Sequence, residues 1–527
     1  MSAPTLRVVF VVASTVVPSW IAELVGGVAK ANRVDVVVSP PTGAAPTQYT
    51  RLWRLYERAD AALCRRPSDA LDPVVLPGSI ASLGEVDSCD VVVALVPGDH
   101  TTLRSAARLG VWELSHWDMS GRRSEPLGFW ESLRGDLVET RLEAVGADGH
   151  RKLLYRSYGA ARGASLHRAR NRLLWKAKAA ISSQLQLART RGDTYLSSRS
   201  GSAGPAAEHP RVRSWHVVSQ IVRAVTGVVR LRMRSLVFVE PWFIGIRQRS
   251  PGDVVQLASE PSFDRLEPPA GKAFADPFAL EDDGRTFVFF EDYDDALRRA
   301  HISYVVLDGV RPTGEPSPAL ETGIHLSYPF VFRRGTEIYM IPESSADRTI
   351  TLYRALDFPS KWVLERVLID DISAVDATLL EHAGRLWLFA AVFEPRASPN
   401  DDLHLFSAPA LDSAWEPHPG NPVVSDARSA RPAGRIFRQG DEWIRPAQDC
   451  SGDYGRAIVL NRIDVLTPTE YRETPVDRIE PNWDTRLVAT HTYSSTDTIE
   501  LIDGRRRVLR SLRTRVGGRS GRSGGRL

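Results

Sequence analysis

The sequence predicts a multidomain protein, with an amino-terminal α/β open sheet over residues 1–192 and an all-β five-bladed propeller within residues 214–504. Three observations carry that prediction. Near-continuous β-branched runs at residues 8–12, 34–38 and 91–96 read as parallel strands buried on both faces. A unit of roughly fifty residues, rich in short strands, recurs through the second half. Between them lies SSRSGSAGPAAEHP, residues 197–210, a polar linker that sets off a flexible join over 193–213. A chain of 527 residues exceeds what one core can hold, so two or three domains are expected.

Composition bounds the class. With 43% hydrophobic and 25% charged residues the chain reads as an ordinary soluble globular protein. Cys64, Cys89 and Cys450 are scattered and odd in number, which argues against a disulfide framework and fits a reducing cytoplasm. No Cys/His spacing suggests a metal site. No apolar run is long enough to span a bilayer, and LRVVFVVASTVV, residues 6–17, reads as a first folded strand rather than a leader. The net charge of +3 hides an asymmetry: residues 505–527 hold nine arginines and no acid, which leaves −6 for residues 1–504. That Gly/Ser-rich tail is expected to be disordered and solvated without a specific partner; its charge could touch an anionic membrane or nucleic acid electrostatically, and no specific nucleic acid is expected. The expected location is cytoplasmic, at the inner face of the membrane if the tail binds there.

In the amino-terminal domain the helical segments between the valine runs imply an open α/β sheet. The G-x-G-x-x-G dinucleotide fingerprint is absent after the first strand. Open sheets bind ligands beyond the carboxyl ends of their strands, which directs attention to GVWELSHWDMSGRRSEPLGFWESLRGD, residues 110–136. This stretch, with RARNRLLWKAKAA at 168–180, resembles the formyltransferase family. The resemblance implies formyl transfer from 10-formyltetrahydrofolate to an amine, with a base and an oxyanion donor. In register from Gly110, however, the family's N-x-H is replaced by Glu113 and Ser115, with His116 one place late. His116 and Asp118 are the candidate replacements, and Asp148 is a loose match to the family's downstream Asp. The missing motif predicts no formyl transfer.

At the join, WHVVSQIVRAVTGVVRLRMR, residues 215–234, carries valines and isoleucine mostly on one helical face together with Arg223, Arg230, Arg232 and Arg234. Basic amphipathic helices lie on membranes, and helices that join domains share the pattern. The joining helix is the expectation.

The repeat is written five times: FADPFALEDDGRTFVFFEDY (274–293), LSYPFVFRRGTEIYMIPES (326–344), SAVDATLLEHAGRLWLFAAVFE (373–394), SARPAGRIFRQGDEWIRPAQD (429–449) and, more weakly, NWDTRLVATHTY (482–493). Its lead residues Asp276, Tyr328, Asp376, Arg431 and His491 are 52, 48, 55 and 60 positions apart. Each unit makes one small antiparallel sheet that cannot bury both faces alone, whereas a ring of five can. The turn glycines Gly284, Gly335, Gly384 and Gly440 separate adjacent strands, and Phe287, Tyr339, Trp387 and Trp443 follow at matching offsets as blade core. The leads differ where packing would favour similarity. Placed on the innermost strands they would line one mouth, with Glu291, Glu343, Arg445, Gln448 and Asp449 from the second strands. Such a set suits a polyhydroxylated or anionic ligand.

FADPFAL, LSYPFVF, IPES, DATLL, ARPAGRIF and RPAQDC, in order, resemble the propeller of plant glucosamine inositolphosphorylceramide transferases, and more distantly the arabinanase, xylosidase and invertase glycosidases. The glycosidase resemblance implies catalytic carboxylates: Asp276 as base or nucleophile, Glu343 as acid, and Asp376 orienting hydroxyls or tuning pKa. Tyr328, Arg431, Arg445, Gln448, Asp449 and His491 would bind substrate. Tyr328 stands where those glycosidases have a second Asp, and Asp376 where they have Glu. The functional expectation is a carbohydrate-active protein of cell-envelope polysaccharide or glycolipid metabolism, whose propeller binds and cleaves or transfers a glycosyl unit. The alternatives are an amino-sugar N-formyltransferase and a non-catalytic sugar-binding scaffold. No cofactor is expected apart from the folate, should the first domain be active.

Overall fold

Valine-rich strands need two covered faces, and the amino-terminal sheet supplies them. The computed structural model describes residues 4–39, 49–76, 80–81, 86–197, 199–202, 209, 211–249 and 263–510. Contacts divide the chain into two units, residues 1–229 with 394–398, and residues 230–393 with 399–527.

In the first unit, β1 (Arg7–Val12) is central, parallel to β2 (Arg33–Val38) on one side and β3 (Val91–Ala94) on the other. Val8, Phe10 and Val12 face the buried Trp20 and Leu24 of α1 (Ser19–Ala29) and Ile181 of α3 (Leu166–Arg191). Val9 and Val11 face a second cluster with Val37, Val92 and Leu103. An additional helix, α2 (Arg51–Cys64), lies between β2 and β3 in the chain. Beyond β3 the sheet continues with β4 (Val111–Trp117), parallel, then β5 (Leu137–Val145) and β6 (Arg151–Ala160), both antiparallel. The last two strands were hidden in the sequence by charge. Glu139 and Glu143 are buried in β5 because Arg141 (2.7 Å) and Arg156 (3.1 Å) hold the first, and Arg151 (3.0 Å) the second.

Two expected boundaries shift. Arg199–Ser202 is not free linker: Leu153 N donates to Ser200 O and Ser202 N to Arg151 O, so this stretch runs along the edge of β6. Residues 203–208 and 210 lie outside the described residues. The helix expected at the join is α4 (Ser214–Val237). The tail likewise starts later than residue 505, because a strand runs to Arg506 and Val508–Leu509 pairs with Phe238–Val239; residues 511–527 lie outside the described set.

The second unit is the five-bladed propeller. Blade one contains β8 (Lys272–Asp282), β9 (Arg285–Asp294) and β10 (Arg299–Asp308). Blade two contains β11 (Ser327–Arg334), β12 (Glu337–Glu343), β13 (Ile350–Asp357) and β14 (Lys361–Ile369). Blade three is built on β15 (Ala374–His382), β16 (Arg385–Val392) and β17 (Leu403–Ala408), and blade four on β18 (Phe437–Gln439), β19 (Glu442–Asp449), β20 (Ala457–Leu466) and β21 (Tyr471–Ile479). The fifth blade is composite. Its strand β7 (Trp242–Gln248) precedes blade one, yet pairs antiparallel with β23 (Ile499–Arg506) from the other end, beside β22 (Tyr493–Ser495). The weak fifth copy is therefore weak because half of its sheet is written 250 residues earlier.

The repeated aromatics pack as core, for instance Phe287 against Phe358 at 4.7 Å and Trp443 against His382 at 6.2 Å. Blades four and five meet at Gly434. Its φ is +121°, and a Cβ there would stand 1.8 Å from Tyr493 O. Gly434→Ala is expected to destabilise the propeller by about 3 kcal/mol, read as a lower denaturant midpoint, because backbone rather than a side chain must move.

Candidate functional site

The repeat does its positioning with a backbone device. Asp276, Tyr328 and Asp376 each sit at a register break in the first strand of their blade, between Ala275 and Phe278, Ser327 and Phe330, and Val375 and Thr378. Their φ angles are 51°, 45° and 55°. A left-handed residue with a side chain is strained, and three at one repeated offset are a bulge that re-aims each lead out of the strand's alternation.

The five leads converge. Arg431 clamps Asp376 (Nε to Oδ2 2.6 Å, Nη2 to Oδ1 3.3 Å), and Gln448 Nε2 donates to the same Oδ2 at 2.9 Å. Arg431 Nη2 also lies 3.7 Å from Glu343 Oε2, which is buried and has no hydrogen-bond partner among the described residues. Asp276 Oδ1 accepts from Thr492 Oγ1 at 2.6 Å, while its Oδ2 accepts no hydrogen bond among the described residues. His491 Nε2 is 3.7 Å from Asp276, and its Nδ1 2.5 Å from Asp503. Tyr328 is fully buried; its hydroxyl accepts from Gly434 N (2.7 Å) and lies 2.7 Å from Thr378 Oγ1, so it joins blades two, three and four and leaves nothing for a ligand.

Electrostatics sort the carboxyls by role. Burial, opposed by His491 and reinforced by Asp376, pushes Asp276 up to about 6. Burial and the adjacent Asp376 raise Glu343 well above the carboxylate range, and burial with Asp276 nearby does the same to Glu291, whose Oε1 lies 3.5 Å from His325 Nε2. Asp276 is thus the readier of these carboxyls to ionise, and Glu343 and Glu291 the readier to keep their protons. Burial lowers His491, but Asp503 and Asp276 outweigh it and favour the imidazolium. Asp276, His491 and Asp503 offer ligand atoms within 4.8 Å of one another, close enough to share one cation. His491 would have to give up a proton to ligate one.

Two expected binding residues lie elsewhere. Arg445 pairs with Glu473 (2.6 Å) and Asp449 with Arg478 (2.6 Å) inside blade four. On β19 they sit at odd positions and Gln448 at an even one, and the period of two sends them to the opposite face. Conversely, two site residues carried no motif. Asp503 accepts from the backbone N–H groups of Asp276, His491 and Thr492 at 3.1, 2.9 and 3.0 Å, and is wholly buried. Tyr454, from the insertion SGDYGR, is 41% exposed, with its ring 5.0 Å from the Arg431 guanidinium and edge-on to His491.

In the first unit, a cavity of about 530 Å³ opens beyond the carboxyl end of β3, lined by His100, Glu113, Ser115, His116 and Arg151 among others. His116 bonds Thr140 Oγ1 at 3.0 Å, and burial lowers it to about 4, so it is a neutral, weak base. Asp118 does not join it. It caps a turn through Ser120 N and Arg122 N, both 2.8 Å. Asp148 is likewise a surface turn residue, bonded to His150 N. Glu113 is held by Arg151 at 2.8 Å. Among the described residues, no carboxylate is poised on His116 as formyl transfer would require.

The strands, the bulges and the order of the copies can be set against known proteins. Residues 267–487 match the family model of glucosamine inositolphosphorylceramide transferase 1, N-terminal. The resemblance carried by the motifs from FADPFAL to RPAQDC holds over that segment. Curated proteins named glucosamine inositolphosphorylceramide transferase 1 are 38% identical over 207 residues in Oryza sativa subsp. japonica and 36% over 206 in Arabidopsis thaliana. Each match covers 38% of this chain but only 28% and 27% of the relative, so the chain spans little more than a quarter of their length. Solved structures that are similar include the catalytic domain of the Coprinopsis cinerea GH62 alpha-L-arabinofuranosidase (TM-score 0.34, 13% identity, 50% of this chain and 97% of that one). A thermostable family-43 glycoside hydrolase gives 0.32 and 13%, over 40% and 78%.

Proposed function

We propose that the axial site of the propeller binds a glycosyl unit of a cell-envelope polysaccharide or glycolipid and cleaves or transfers it. One observation carries the reading: Glu343 Oε2 is a buried carboxyl oxygen with no hydrogen-bond partner among the described residues, in the same cluster as Asp276; burial and Asp376 favour the proton on Glu343. A native protein keeps an unsatisfied buried polar atom for a reason, and a ligand oxygen would satisfy it. The relatives are named glucosamine inositolphosphorylceramide transferase 1, which agrees with a glycolipid substrate. In the reaction Glu343 gives its proton to the glycosidic oxygen as the C–O bond breaks. Asp276 then attacks the anomeric carbon or takes the proton of the incoming hydroxyl. Asp376, saturated by Arg431 and Gln448, touches no substrate but holds the Glu343 proton in place by its charge. Tyr454 is an exposed aromatic face over this floor, suited to the apolar face of a sugar ring.

The test is a glycan-array screen with the full chain, followed by Tyr454→Ala on the best ligand. Binding of a defined glycan family, weakened roughly tenfold by the substitution, is expected. No glycan bound at any concentration used would sink the reading. Binding without turnover of any bound glycan would reduce the site to a receptor.

A further inference from the structure

The helix α4 exposes more apolar surface than a joining helix needs. His216, Val217 and Gln220 are buried, and Gln220 Nε2 donates to Ser132 Oγ at 2.9 Å. From Val225 to Met233 every residue is exposed. Val222 is 54% exposed, Val225 55%, Val229 53%, Met233 57% and Leu236 70%; spaced three and four apart they share one helical face, a patch that water does not favour and that marks an interaction surface. Chemistry identifies the partner. The helix contains no acid, and Arg230 and Arg232 have no ion pair among the described residues. The chain leaves the described region beside this helix's carboxyl end: Val508–Leu509 pairs with Phe238–Val239, and Arg510 Nη2 donates to Ser235 O at 2.7 Å. The following residues 511–527 add five arginines and no acid. Apolar side chains and the cations Arg230 and Arg232 thus share this helix. Among the described residues no helix is long and apolar enough to cross a membrane.

We propose that α4 is a membrane-surface helix that docks the protein on an anionic lipid bilayer, its apolar residues in the acyl boundary and its arginines at the headgroups. Such helices bind by buried apolar area together with electrostatic attraction, and neither suffices alone. A second copy of the chain is the poorer occupant, since it would set the same cations against each other without acids to answer them.

Co-sedimentation of the full chain with vesicles tests this. The chain is expected to pellet with phosphatidylserine-rich vesicles, not with pure phosphatidylcholine, and to release as salt rises. Val229→Asp with Met233→Asp, one turn apart on that face and both exposed, should leave circular dichroism and melting unchanged and lower the bound fraction about tenfold or more. Removing residues 511–527 should weaken binding and leave it sensitive to the double substitution. No binding to serine-rich vesicles overturns the proposal, as does binding equal in the double variant. Light scattering that shows a dimer broken by the same two substitutions also overturns it, in favour of a second copy.

Discussion

Glu343→Gln is expected to keep the fold and the glycan affinity while lowering turnover by about 10³-fold, the usual scale for a lost general acid. The amide fills the same space between Arg431 and Asp376 and has no acidic proton to give. The pH profile should report the same pair. Asp276 acts ionised, and its pKa is raised to about 6, so activity rises as pH passes about 6. Glu343 acts protonated, and burial and Asp376 raise its pKa, so activity falls only where pH passes a value well above the carboxylate range. In Glu343→Gln the residual activity should keep the acid limb and lose the alkaline fall. Turnover within a few-fold of the parent would show that the glutamate ends its copy of the repeat only as a structural residue.

The largest stability effect is expected from Asp503→Ala. One carboxylate accepts from three backbone N–H groups and faces His491 at 2.5 Å, all buried. Its removal leaves those donors unanswered and an imidazolium without its closest counter-charge. Breaking such a buried pair costs about 3–5 kcal/mol, which lowers the melting temperature by roughly 10 °C. Asp503→Asn, which retains an acceptor oxygen, should fall between the two. A shift below about 2 °C in the alanine variant would remove Asp503 from its place as the hub of the site.

How much of this was legible follows from how each residue is encoded. Asp276, Tyr328, Asp376, Arg431 and His491 could be grouped before any coordinates, since each leads a copy of one repeated unit, and identical blades put identical offsets at the same radius. The role of Tyr328 could not be read, because its partners Gly434 and Thr378 lie in other blades. Arg445 and Asp449 were misplaced by reading RPAQDC as one cluster, whereas a strand sends alternate residues to opposite faces. Asp503 had no signal at all: it bonds Asp276 across 227 positions, in a blade whose repeat is split. In the first unit, the valine runs announced the parallel strands. The antiparallel pair stayed hidden behind buried glutamates whose arginine partners are visible only in space.

The composite blade also bears on what can be moved between proteins. The segment shared with the plant relatives, residues 267–487, omits both β7 and β23. Excised at those limits, it would lose the seam that fastens the ring, and with it Asp503 and His491, leaving Asp276 without its neighbours. A domain swap or gene fusion drawn at the borders of similarity would therefore transplant four blades, with Asp276 and Glu343 but without His491 and Asp503. The heritable module is wider than the recognisable one, and its outermost strands, where the likeness has already faded, are the ones a graft must carry.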